Sequence, residues 1–327
     1  MGVFELRLVI MVVTLLLIVP SMYGWGKQGH FMTCKIAENF LTEDALASVK
    51  ALLPDSAEGE LASVCSWPDE IRRKAHYRWS GPLHYIDTPD FRCNYQYCRD
   101  CHDSVGRKDR CVTGAIYNYT MQLMTESRDS DFSVMKYNLT ESLMFLSHFV
   151  GDVHQPLHVG FTGDGGGNTI IVRWYRRKTN LHHVWDNMII ESALKTFYHS
   201  DITTMIQSIQ SNITEAFVDE YSWKNCNGTV CPDPYASESI KLACNFAYRN
   251  ATPGVTLGGK NWTVMLYMLR MILVLDLVNN CCCDVCANIP FFSCRRLLPL
   301  SSASCRKAIG PRWGPFGCSS QQDFFQA

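Results

Sequence analysis

The chain carries almost no net charge: 30 lysines and arginines face 31 aspartates and glutamates, a formal −1. That excludes a bulk positive field that holds polyanions without a specific pocket, so affinity for such a partner must arise in a local site. No repeat of fixed period is present, and residues 25–257 contain no Pro-, Gly- or Ser-rich linker, so that span reads as one domain. His-Glu-x-x-His occurs nowhere, which removes the helix-borne zinc-protease arrangement. The N-terminal apolar run, Leu8 to Pro20, falls short of the roughly 20 residues that a membrane helix needs.

What is present points to export. Arg7 precedes the apolar run and small Gly24 precedes Trp25, so residues 1–24 read as a signal peptide, although Met22 is larger than the usual residue three before a cleavage site. Acceptor sequons begin at Asn118, Asn138, Asn212, Asn227 and Asn250. Sixteen cysteines suit an oxidising compartment, and nine of them precede residue 258: Cys34, Cys65, Cys93, Cys98, Cys101, Cys111, Cys226, Cys231 and Cys244. An odd number leaves one unpaired, and spacing alone does not determine the pairing. The expected location is the secretory pathway, ending outside the cell or in a vacuolar, lytic compartment, with no stable membrane anchor.

At 327 residues and 47% hydrophobic content the chain has ample material for a buried core. Apolar residues recur at helical spacing over roughly 31–52, 113–124, 139–153, 186–210 and 235–248. The clearest strand is Thr169 to Tyr175, with Ile170, Ile171, Val172 and Trp174. The fold class is therefore mainly α, a single domain with a few short strands. After Leu257 the character changes to an apolar stretch, a cysteine cluster (Cys281, Cys282, Cys283, Cys286) and a Ser-, Arg- and Gly-rich end. No second Cys-x-x-Cys pair at finger spacing accompanies that cluster.

The chemistry concentrates in Ser147-His148-Phe149-Val150-Gly151-Asp152-Val153-His154-Gln155-Pro156-Leu157-His158. His148 and Asp152 stand four apart and share one helix face. Pro156 ends the helix and lets His158 turn back toward the same centre. His182 and Asp186 repeat the four-residue spacing. Imidazole and carboxylate are ligands that zinc accepts, and a carboxylate also bridges two ions. His154 and His183 sit on other faces and read as neighbours of ligands. Asp69 in Trp67-Pro68-Asp69 and His84 in Leu83-His84-Tyr85-Ile86-Asp87 are further candidates; taken singly they read as a helix-start acid and a half-buried strand residue.

These segments, together with Trp25-Gly26-Lys27-Gln28-Gly29-His30, resemble the plant bifunctional nucleases, relatives of the fungal single-strand-specific nucleases of the S-one/P-one type. The likeness keeps the same order from Trp25 to about Leu257. It implies a mainly helical fold shared with zinc-dependent bacterial phospholipase C and a cofactor set of three zinc ions. In that pattern Asp69, His84, His148 and Asp152 bind one ion, and His158, His182 and Asp186 a second. Asp152 bridges to a third, held by His30 and by the amine and carbonyl of Trp25. The resemblance also places Arg72 on phosphate and Asn168 on a base; Tyr85, beside His84, is the aromatic candidate for stacking a base, and Asp87 the candidate for orienting a ligand or polarising a water. Implied substrates are single-stranded nucleic acid and 3′-nucleotides, cut by a monomer.

Two alternatives stay open. A phospholipase C of this fold needs the same cluster, but that family has glutamate where Asp186 stands, which favours the nuclease. A catalytically impaired zinc-binding form is the other, because from Gly259 the chain departs from the family's final helical segment. Gly259-Lys260 is compatible with the codons GGT AAG, which contain an intron donor signal. Residues 25–258 are thus expected to be the nuclease domain, incomplete at its C-terminal end, and 259–327 a retained intron or gene-model error.

Overall fold

The structure, a computed structural model, describes residues 25–126, 137–215, 230–249 and 251–257. Helix α1 (Lys27–Glu38) follows Gly26, and α2 (Glu43–Leu52) is capped by Thr42, whose Oγ1 accepts from Ala45 N at 3.2 Å. The stretch 31–52, which reads as one helix by periodicity, is therefore two. Thr42 supplies a cap, and Glu43 and Asp44 complement the helix dipole behind it. Buried Glu38 then accepts from the backbone N–H groups of Leu61 and Ala62, closing the next helical turn against α1.

The centre of the molecule is α5 (Leu139–Val153), capped by the Oδ1 of Asn138 and buried at every residue from Ser142 to Val153. Short α3 (Trp67–Ile71) and long α4 (Val112–Glu126) pack on it. The Tyr119 ring of α4 stacks on Phe145 at 5.0 Å. A helix enclosed on all sides must be apolar all round except where a function requires otherwise, so the buried His148 and Asp152 of α5 stand out.

The stretch 186–210 also divides, into α6 (Ile189–Phe197) and α7 (Ile202–Glu215). The break falls where His199 and Ser200 take φ of 50° and 65°, a left-handed turn that periodicity does not report. Ahead of α6 the chain widens into a π turn over Val184–Met188, which carries Asp186. Strands β1 (Ile171–Trp174) and β2 (Arg177–Asn180) form an antiparallel hairpin, and β3 (Thr256–Leu257) joins β1 in parallel. The expected strand 169–175 is thus trimmed to its four central residues.

Helix α8 (Asp233–Leu242) and the turn after it close the site from the C-terminal side. Ser239 Oγ donates to Val153 O at 2.6 Å, and the Tyr248 ring stacks on Phe161 at 4.4 Å. Disulfides join Cys34 to Cys65, Cys93 to Cys244 and Cys101 to Cys111, and Cys98 and Cys231 are also oxidised. The second bridge closes a separation of 151 residues. Asn138 is exposed, Asn212 half-buried, and the side-chain nitrogen of Asn118 is buried. The signal peptide 1–24, Cys226, Asn227, Asn250 and the tail lie outside the described residues. Among the described residues no helix is long and apolar enough to cross a membrane.

Burial raises the Asp233 carboxyl to about 6, against an opposing hydrogen bond from Tyr95. Its folded pKa exceeds its unfolded one, so the charged form is disfavoured in the native state. The cost is absent below pH 4 and grows as pH rises to about 6, reaching about 2–3 kcal/mol before levelling. Asp233→Asn is expected to lessen that decline, seen as a smaller fall in urea midpoint between pH 4.5 and 6.5 than in the parent, both as chelated protein.

Candidate metal centre

Elements from along the whole described chain aim ligand-type side chains at one buried point. α5 presents His148 and Asp152 one turn apart, and its end is marked by Gln155, whose Oε1 accepts from Leu157 N at 2.6 Å. The 3-10 turn Pro156–Val159 then folds back, as the position of Pro156 requires, and brings in His158. The run after His84 pairs along this return: Ile86 N donates to His158 O at 2.7 Å and Thr88 N to Gly160 O at 3.0 Å. α3 contributes Asp69, α1 contributes His30, and the turn capped by Asn180 contributes His182.

The atoms converge closely. Asp152 Oδ2 lies 2.9 Å from His84 Nδ1 and 3.1 Å from His148 Nε2, and Oδ1 lies 3.3 Å from His30 Nε2 and 3.5 Å from His158 Nδ1. His182 Nε2 is 3.3 Å from Asp186 Oδ2. Three groups have the proximity to hold a metal ion: His30 with His148 and Asp152, Asp69 with His84 and His148, and His158 with His182 and Asp186. Eight of the nine residues expected from sequence are thus brought together. The ninth, Trp25, is buried beside them, with its indole against Gly29 and the next amide donating to Asp186 O at 2.8 Å.

Backbone carbonyls orient the imidazoles. His148 Nδ1 meets Cys65 O at 2.8 Å, and the Nδ1 atoms of His158 and His182 meet His84 O and Gly166 O at 2.6 Å each. A carbonyl only accepts, so each of these Nδ1 atoms carries the proton and each Nε2 keeps its lone pair for a metal. Gly166 has φ +62° and any Cβ there would lie 2.4 Å from Leu157 O, so the loop reaches His182 only as glycine.

Burial holds most of the imidazoles in the neutral form that ligates a metal. Burial pushes His84 down to about 4 and His182 to about 3, with Arg72 and His158 respectively acting in the same direction. Burial also lowers His30 and His158. For His148 burial is outweighed by Asp152 and Asp69, which raise it. Burial, reinforced by Asp69 and Asp152 and opposed by Gln155, drives Asp186 well above the usual carboxylate range. His30 Nδ1 and Nε2, His84 Nε2, Asp69 Oδ1 and Asp152 Oδ1 are buried without a well-formed hydrogen bond. Native interiors rarely leave such atoms unsatisfied, and divalent cations in this cluster would account for Asp69 Oδ1, Asp152 Oδ1, His84 Nε2 and His30 Nε2.

Beside the cluster lies a cleft of about 1130 Å³, whose walls include Lys27, Arg73, Asn168, Lys178, His182 and Asp186. Arg72 Nη2 is 3.2 Å from Asp69 Oδ1. Asn168 spends its amide on Gly165 O at 2.8 Å and on Asn180 at 3.5 Å. Tyr85 and Asp87 are half-buried on the segment after His84 and do not line the cleft. Burial raises the Asp87 carboxyl, with nearby His102 opposing. His154 packs on Tyr235 at 5.1 Å and His183 bonds to Asn187 at 3.1 Å, so neither joins the three groups. Sequence reasoning missed Gln155, whose Nε2 donates to Asp186 Oδ1 at 2.5 Å; its position between two ligands was the available signal.

The family model described as S1/P1 Nuclease matches residues 25–272, a range ending beyond the boundary expected at 258. Endonuclease 4 of Arabidopsis thaliana is 66% identical over 237 residues, which is 72% of this chain and 79% of that relative. Endonuclease 5 of the same organism is 56% identical over 254 residues, 76% of this chain and 86% of the relative. Nuclease P1 of Penicillium citrinum is 33% identical over 229 residues, 63% of this chain and 80% of the relative. With three buried groups of metal-type ligands on one side and similarity of this extent on the other, the chain belongs to the S1/P1 nuclease family and is a hydrolase that cuts nucleic acid.

Proposed function

We propose that the mature chain is a secreted, zinc-dependent endonuclease that hydrolyses RNA and single-stranded DNA to 5′-phosphate products and also acts on 3′-nucleotides. The observation that carries this reading is Asp152, fully buried and within 3.5 Å of His30, His84, His148 and His158, the arrangement of a carboxylate shared between cations. In this reading Asp69, His84, His148 and Asp152 hold one zinc ion, and His158, His182 and Asp186 a second. Trp25, His30 and Asp152 hold a third. When bound, such ions lower the pKa of water to near neutrality and neutralise charge on phosphate oxygens.

The chain's own groups do the rest. Arg72, held beside Asp69, presents guanidinium donors to the equatorial phosphate oxygens. Gln155 holds Asp186 in place, and Asp87 orients a ligand or a water from the segment after His84. Tyr85 and Asn168 take the base, and in-line displacement with loss of the 3′ oxygen leaves the 5′-phosphate. Cleavage after Gly24 releases the mature chain into the secretory pathway, and residues 25–258 form the nuclease domain.

One preparation tests the reading: metal analysis, followed by assays on single-stranded DNA, RNA, a 3′-nucleotide and lecithin, with and without chelator. Three zinc ions per chain and nuclease activity abolished by chelator and restored by zinc are the expected results. Cleavage of lecithin alone, or nuclease activity indifferent to chelator, overturns it.

A further inference from the structure

The β1–β2 hairpin carries a charge that the metal centre leaves unused. Arg173, Arg176, Arg177 and Lys178 are all exposed, in a chain whose formal net charge is −1. Among the described residues no carboxylate pairs with any of the four. Four exposed cations within six residues repel one another, so the arrangement raises the local potential for an anion at a cost in folding.

The register sorts these side chains. Arg173 pairs with Lys178 and Ile171 with Asn180, so these four project from the same face of the hairpin. The opposite face buries Val172 and half-buries Trp174, whose Nε1 donates to Ser192 Oγ at 2.9 Å. Backbone bonds to the third-strand segment, Arg173 N to Val255 O and Tyr175 N to Leu257 O at 2.9 Å each, hold the hairpin along the other edge of β1. Ile171, Lys178 and Asn180 also line the cleft that His182 and Asp186 line. The basic face therefore starts at the wall of the metal centre and runs outward to Arg173, with Ile171 left 41% exposed on it.

Resting on the nuclease reading above, we propose that this face is a docking track for the part of a single-stranded substrate that extends beyond the phosphate being cut. Arg173 and Lys178 bind successive backbone phosphates, and Ile171 packs on a sugar or base. Such binding is independent of sequence and depends on salt, as expected when phosphates supply the affinity. Lys178 lines the cleft and Arg173 does not, so in this track a substrate of two nucleotides engages Lys178 at most.

The test compares R173E/K178E, the neutral R173Q/K178Q and a surface control, Lys50→Glu on α2, using a dinucleotide and a single-stranded oligonucleotide of about 12 residues. For the oligonucleotide the reversed pair is expected to raise KM about tenfold or more, and the neutral pair about threefold. The dependence of log(kcat/KM) on log salt is expected to flatten by about 0.7 for each phosphate that the protein no longer neutralises. Arg173→Glu alone, outside the cleft wall, raises oligonucleotide KM and leaves dinucleotide turnover at the parent level, which also shows that it folds, and Lys50→Glu matches the parent on both substrates. Parent-like oligonucleotide KM in both pairs, or an equal loss on the dinucleotide in Arg173→Glu, overturns the track. A parent protein that cleaves lecithin and neither nucleotide substrate overturns the nuclease reading instead.

Discussion

Asp152→Asn is expected to lower turnover on single-stranded DNA by about a thousandfold, because metal-ion catalysis supplies several kcal/mol and each 1.36 kcal/mol is a factor of ten. The substitution keeps the side-chain volume, so packing around this fully buried residue is preserved. It removes the negative charge and turns one acceptor into a donor facing imidazole nitrogens 2.9–3.5 Å away. In the proposed assignment Asp152 is shared by two of the three ions, so zinc content is expected to fall from three to about one per chain. The survivor is the ion at His158, His182 and Asp186. Asp186→Asn is the complementary variant and should lose only that ion. Full zinc content in purified Asp152→Asn protein, by elemental analysis, refutes the shared-carboxylate arrangement.

The second large effect lies at the N-terminus. One extra alanine before Trp25 is expected to remove one zinc ion and to lower activity on the order of a hundredfold, while the other two ions stay. A free α-amine offers a lone pair, whereas an amide nitrogen in a peptide bond does not. The residue has no freedom to compensate. Trp25 is 2% exposed, a Cβ on Gly29 would lie 2.8 Å from its Cβ, and Gly26 N is bonded to Asp186 O. N-terminal sequencing, metal analysis and assay of both forms decide the point, and an extended chain with three ions and parent activity contradicts it. On the proposed reading, cleavage after Gly24 would then also complete the active site.

The turn after α8 bears on the site as well as on the fold. The described C-terminal residues already reach the site: Tyr248 donates to Asp164 Oδ1 at 3.0 Å, and its hydroxyl accepts from Phe161 N at 3.0 Å. Asp164 in turn accepts from Gly167 N at 2.6 Å, next to the glycine whose carbonyl holds His182. Through that chain of bonds, whatever packs behind residues 243–248 bears on the orientation of a metal-type ligand.

Amino-acid sequence alone determined the residue types and the local geometry: helical periodicity for α4 and α5, the i, i+4 pairs His148/Asp152 and His182/Asp186, and the return of the chain at Pro156. Each is legible because it depends on a spacing within one element. Ordered likeness to a nuclease family added His30, Asp69, His84 and Trp25, which no spacing singles out. Tertiary structure alone decided that these distant residues share one centre, that Cys93 pairs with Cys244, and that the long periodic stretches break at Thr42 and at His199–Ser200. It also placed Gln155 on Asp186 and set Lys178 of the hairpin in the wall of the cleft. The reason is physical: periodicity reports which face of an element is buried, but which faces meet is set by packing between elements far apart in the chain.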